Sequence, residues 1–149
     1  MKVVLLSTIA VAVFATSSCG GDDETVTEEP LKQKVKVVIA GTNDALEEQA
    51  DGGIAGEGAF RASGGITDSG SVTAYRSMPT KELILLRFVT KGNKGTITYL
   101  VTIDIARLPP ISQGKIESAT KAYKGLQGEG NETENATYTV STLRGSVWR

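Results

Sequence analysis

The sequence predicts an all-β protein, a small antiparallel β-barrel of about eight strands, behind a cleaved signal peptide and a disordered tether. Three observations lead there. Short β-prone runs recur from Lys34 onward between Gly, Asn and Asp punctuation, the spacing of an antiparallel domain. One run, Thr96 to Ala106, places Ile97, Tyr99, Val101, Ile103 and Ile105 on one face and Thr96, Thr98, Thr102 and Asp104 on the other, a period of two that no amphipathic helix sustains. So many apolar runs would also leave exposed edges in an open sheet, and closure removes those edges. The expected division is residues 1–18 as leader, 19–33 as tether and 34–149 as barrel.

At the N-terminus, Lys2 precedes an apolar run from Val3 to Phe14. The run is too short to cross a bilayer, which takes about 20 apolar residues, and suits a secretory h-region. Ala15, Thr16, Ser17 and Ser18 follow, and then Cys19, the single cysteine of the chain. The segment resembles a bacterial lipoprotein signal, with Thr16 where leucine is usual. That resemblance implies lipidation of Cys19, membrane attachment through the lipid, and an extracytoplasmic location. Two or more acyl chains exceed the threshold for stable anchoring. The stretch after it, with Asp22, Asp23, Glu24, Glu28, Glu29 and Pro30, is acidic and lacks core-forming residues, so it reads as a tether holding the domain off an anionic membrane.

The strands follow in order. Lys34 to Ala40 is the first. Asp44 to Gln49 suggests one helical turn, with Asp44 capping and Glu47 answering it. Glu57 to Ser63 and Val72 to Met78 are the next strands, joined by a turn that uses Gly64, Gly65, Asp68, Ser69 and Gly70. Leu83 to Thr90 and Thr96 to Ala106 make a hairpin around the glycine-rich stretch from Lys91 to Gly95, and Pro109 and Pro110 end that ladder. Lys115 to Ala119, Gly125 to Gly130 and Thr137 to Val147 complete the count; Lys115 to Leu126 also fits helical spacing, but its bracketing glycines favour strand, turn and strand.

Gly56-Glu57-Gly58-Ala59-Phe60 leading into Gly64-Gly65-Ile66-Thr67-Asp68-Ser69-Gly70, then Lys94-Gly95-Thr96-Ile97-Thr98, then Ala122-Tyr123-Lys124-Gly125-Leu126-Gln127-Gly128-Glu129-Gly130, resemble in the same order the motifs of bacterial proteins with an allene oxide cyclase-like, dirigent-like barrel. Ala119, Thr120 and Lys121 depart from the Gly-Thr-Gly usual before the tyrosine. The resemblance implies the barrel fold, and its plant members cyclise epoxides or guide radical coupling in a barrel pocket. Their pocket residues do not map onto this chain.

Composition narrows the chemistry. The 149 residues contain no histidine, one cysteine, and 16 basic against 17 acidic side chains, a net charge of -1. The usual base for near-neutral catalysis and for zinc is therefore missing, and no cofactor or metal is expected. A balanced charge offers no footprint for nucleic acid. The glycine-rich Gly52 to Gly65 lacks the Gly-Lys-Ser/Thr of a P-loop. Phe88, Ile97, Tyr99, Val101 and Ile103 are the candidate pocket, with the Tyr99 hydroxyl expected at the barrel mouth. Asp68, Gly70, Tyr123, Gly125 and Gly128 are expected as structural turn residues. Arg61, Arg87 and Asp104 are expected to point outward, while Tyr75 and Glu129 complete the polar candidates. These features favour an anchored barrel that binds a small apolar or amphipathic ligand. The alternatives are a cyclase or isomerase acting by confinement with one carboxylate or tyrosine, and a non-catalytic envelope module, for which the resemblance to plant members implies a homo-oligomer.

Overall fold

Alternation decides the architecture. The computed structural model describes residues 29–44, 46–137 and 139–149, so the expected leader, Cys19 and most of the expected tether lie outside the described residues. Eight strands form the wall: β1 (Gln33–Ala40), β3 (Ile54–Gly64), β4 (Asp68–Thr80), β5 (Leu83–Gly92), β6 (Thr96–Asp104), β7 (Ile111–Ala119), β8 (Gln127–Glu134) and β9 (Val140–Trp148). Each pairs antiparallel with the next from β3 to β9, and β1 pairs with β9 on one side and β3 on the other. That double pairing closes the sheet. A ninth strand, β2 (Leu46–Glu48), adds to the start of β3 outside the ring.

The predicted all-β barrel is thus present, with three local differences. Asp44 to Gln49 is not a helical turn. Leu46 pairs with Gly56 and Glu48 with Ile54, because β3 runs past the end of β1 and offers unpaired backbone there, which outweighs a one-turn helical preference. Gly70 is not in a turn either. β4 begins at Asp68, and Gly70 pairs with Phe60 and Gly92. Gly128 likewise lies inside β8 opposite Val147, whereas Gly125 occupies the turn with φ +81°. The hairpin, the break at the two prolines and the strand, turn and strand reading of Lys115 to Leu126 stand as expected, the turn being one 3₁₀ turn, Lys121–Tyr123.

Inward residues fill the barrel. Val37, Ile39, Phe60, Val72, Phe88, Ile97, Val101, Leu143 and Val147 are buried, and Ile66 of the β3–β4 turn, only 2% exposed, plugs one end. That end also carries the start of β1 and the end of β9, and is called the tether end. The far end carries the 41–53 excursion and the connections at 81–82, 105–110 and 135–139.

Close backbone approach shapes the β8–β9 wall. Gly114, Gly130 and Gly145 stand in register across β7, β8 and β9. A Cβ at Gly145 would overlap the Glu129 carbonyl oxygen, and one at Gly130 would overlap that of Arg144. At Gly114 a Cβ would meet Val101 Cγ2 at 3.4 Å, an ordinary contact. Gly145→Ala is therefore expected to destabilise the fold by about 2 kcal/mol or more, and Gly114→Ala to stay within about 1 kcal/mol of the parent. Urea unfolding of the two variants checks the contrast.

Candidate functional site

The tether end is held by one carboxylate. Asp68 Oδ1 accepts the Ser69 N–H at 2.9 Å, while Oδ2 accepts the Tyr123 hydroxyl at 2.9 Å and the Lys94 N–H at 3.2 Å. Gly92 makes room for it, since a Cβ there would overlap the carboxyl group. Burial pushes the Asp68 carboxyl up, but the donors from Ser69, Tyr123, Lys94 and Asn93 outweigh it and hold it below the ordinary carboxylate range. The same contact works on the phenol. Burial first, and then the Asp68 bond and charge, push the Tyr123 hydroxyl up to about 12. The start of β4, the β5–β6 hairpin and the 3₁₀ turn are thereby joined through one side chain. Asp68 and Tyr123 serve as the structural pair the sequence suggested, with the difference that Asp68 opens a strand.

The wall is weakest between β7 and β8. Only Gly114↔Gly130 and Lys115↔Glu129 are in ladder register there, against eight pairs between β8 and β9. Side chains bridge part of the remainder: the Glu132 N–H donates to Ser112 Oγ at 2.9 Å, and the Asn131 amide nitrogen, in its satisfied orientation, donates to the Ser112 carbonyl at 2.8 Å. Inside this seam lies a cleft of about 30 Å³, floored by Gly114, Gly128 and Gly130 and walled by Val37, Tyr99, Val101, Ile116, Leu143 and Val147. It has room for one or two waters. Tyr99 does not reach the mouth with its hydroxyl. The oxygen is buried without a partner, and burial raises its pKa far above the usual phenol range.

Glu132 is the second polar group inside. It faces inward near the far end and is 6% exposed; one oxygen, Oε1, has no partner. Burial pushes its carboxyl up to about 7, the nearby Glu134 charge adds to the rise, and a hydrogen bond with Ser141 opposes it. A carboxyl poised there can donate or accept a proton near neutrality. Sequence reasoning missed it. The signal was available, because the alternation of Gly128 and Gly130 extends to Glu132 on the same inward face.

Of the candidate pocket, Phe88, Ile97, Tyr99 and Val101 are buried and Ile103 is half-buried, all on the inner face. The cleft brings together Tyr99 and Val101, while Phe88 lines a separate cleft of about 30 Å³ at the far end with Leu86, Glu134 and Ser141. Arg61, Arg87 and Asp104 point outward as expected. Arg87 pairs with Glu117 at 2.8 Å and Asp104 with Arg107 at 3.0 Å. Tyr75 is also outside, and Glu129 pairs with Lys32 at 2.9 Å. Among the described residues no three acidic side chains gather to hold a metal, and no helix is long and apolar enough to cross a membrane. Compared with family models, with curated proteins and with solved structures, the chain matches none.

Two outcomes follow from these groups. Tyr123→Phe is expected to cost about 1 kcal/mol in urea unfolding, with the loss shrinking at acid pH as Asp68 is protonated. Glu132 works in the opposite sense. Its folded-state pKa lies above the ordinary value, so its protonation favours the fold at pH 4 and that contribution disappears as pH rises through about 7. Glu132→Gln is expected to flatten that decline between pH 5 and pH 8, read from urea midpoints.

Proposed function

We propose that the chain is a lipid-anchored extracytoplasmic lipoprotein, of the allene oxide cyclase-like, dirigent-like kind its glycine motifs resemble, whose barrel binds a small amphipathic molecule. The observation that carries the binding half is the pair of buried polar atoms without partners, Tyr99 Oη and Glu132 Oε1, in an interior whose buried side chains are mainly aliphatic and aromatic. Native interiors leave few such atoms unsatisfied, because each costs about 1–3 kcal/mol. A ligand with an apolar body and one or two hydrogen-bonding groups satisfies them. The seam supplies the entry, since only two ladder pairs hold β7 to β8. Because the closed cleft holds little more than water, the ligand must be slender and must part those strands. The anchor half rests on Cys19 and the residues before it.

A second reading has its own support. The interior is nearly filled by its own side chains, as small barrels often are, which favours a non-catalytic envelope module acting through its surface.

Native mass spectrometry of the protein extracted in mild detergent separates the two. A bound small amphiphile, lost in Gly114→Val because the new side chain fills the cleft beside Val101, supports the ligand reading. Empty protein in both forms overturns it in favour of the module. In the same cells, Cys19→Ala is expected to move the protein from the detergent phase to the aqueous phase, and retention in the detergent phase refutes the anchor.

A further inference from the structure

The net charge conceals a strong separation along the barrel axis. Lys34, Lys91, Lys94, Lys121 and Lys124 are exposed at the tether end, and among the described residues none of them meets a carboxylate within ion-pair distance. On the barrel itself the acids of that end are engaged, since Asp68 accepts Tyr123 and backbone N–H groups and Glu129 pairs with Lys32. Asp22, Asp23, Glu24, Glu28 and Glu29 belong to the segment leading into this end and oppose its lysines, so the basic face is the barrel rim alone. The far end has the opposite character. Asp44, Glu47, Glu48, Asp51, Glu82 and Glu134 are exposed there, with Lys81 and Arg107 as the basic residues among its connections.

We propose that the basic tether end docks on an anionic phospholipid surface. The inference deepens the anchored reading, rests on it for its place in the cell, and replaces the expectation that the acidic tether holds the domain off an anionic membrane. The covalent chain restricts the geometry: the residues between Cys19 and Gln33 span at most about 50 Å, and they join the barrel at its basic end. Each lysine near an anionic leaflet contributes roughly a fivefold gain in affinity. Two apolar side chains stand at the same rim. Leu31 is 90% exposed, and Trp148 lies half-buried beneath Lys32, whose Nζ sits 4.7 Å from its ring centroid. Leucine and tryptophan beside lysine suit the headgroup boundary. Leu46, Met78, Leu108 and Ile111 are exposed at the far end, but Asp44, Glu47, Glu48 and Glu82 give that end charge an anionic surface repels. Docking also sets orientation. The basic end lies on the lipid and the end with Glu132 and Glu134 faces away from it.

Trp148 is the single tryptophan, so its fluorescence reports on this end. The test uses the mature chain carrying Cys19→Ala, without lipid, and vesicles of phosphatidylcholine with or without about a third phosphatidylglycerol. Expected are co-sedimentation and a blue shift of Trp148 emission with the anionic vesicles at low salt. Both should vanish near 1 M salt, where the screening length is about 3 Å. Lys34→Glu, Lys91→Glu and Lys124→Glu together should weaken binding by more than about a hundredfold, and the milder Lys124→Gln about fivefold, with folding verified by circular dichroism. Lys81→Glu at the far end should change it less than twofold. Equal binding to neutral vesicles, no binding at low salt, or an equal loss from Lys81→Glu overturns the proposal. Failure of the anchor reads differently. A chain that binds anionic vesicles but carries no lipid at Cys19 in its own cells keeps this surface and loses the anchor, and a lipidated chain indifferent to anionic vesicles does the reverse.

Discussion

An eight-stranded sheet closes on itself only where its strands bend until backbone lies on backbone, and the remainder of this molecule depends on where that is possible. At Gly130 and Gly145 the neighbouring carbonyl oxygens occupy the space a Cβ would need. The glycine content, read in isolation, suggests a loose chain. In place it does the reverse, because the small cross-section it permits lets inward aliphatic side chains meet across the barrel and exclude water. The same residues leave a floor without side chains at the β7–β8 seam, so tight closure and the small cleft arise from one cause.

Cohesion is distributed unevenly around the ring. The tether end is joined through the Asp68 carboxylate, which ties together three connections far apart in sequence. The β7–β8 seam has two ladder pairs and a few side-chain bridges. A wall with one well-fastened rim and one thin seam opens preferentially at the seam. Tyr99 lines the cleft there, and Glu132 has its backbone N–H among the bridges.

Much of the architecture was legible from local pattern. The alternation of Ile97, Tyr99, Val101 and Ile103 identified β6 and its inner face because period-two burial leaves a direct trace in sequence. The turn chemistry of Gly125 was equally visible. What escaped reading depends on distant partners. Leu46 to Glu48 became a strand because β3 overhangs β1, a fact that requires the register of the whole ring. Gly70 and Gly128 looked like turn residues because a glycine needed for close approach and one needed for positive φ are written with the same letter. Glu132 was missed because a carboxylate on an inward face contradicts the expectation that charge faces water. The axial charge separation was hidden by a net charge near zero, and becomes visible only when antiparallel connections sort the loops into two ends.

The double pairing of β1 has a consequence for the order of events in the life of the chain. β1 is the first strand to be synthesised and β9 the last, yet they are neighbours, so the longest-range contacts in the sequence are the ones that complete the ring. The β3 to β7 meander can form early from neighbouring strands, but the sheet keeps two open edges until β9 pairs with β1. Completion of the ring therefore waits on β9, and until it arrives β1 and β8 each present an unpaired edge.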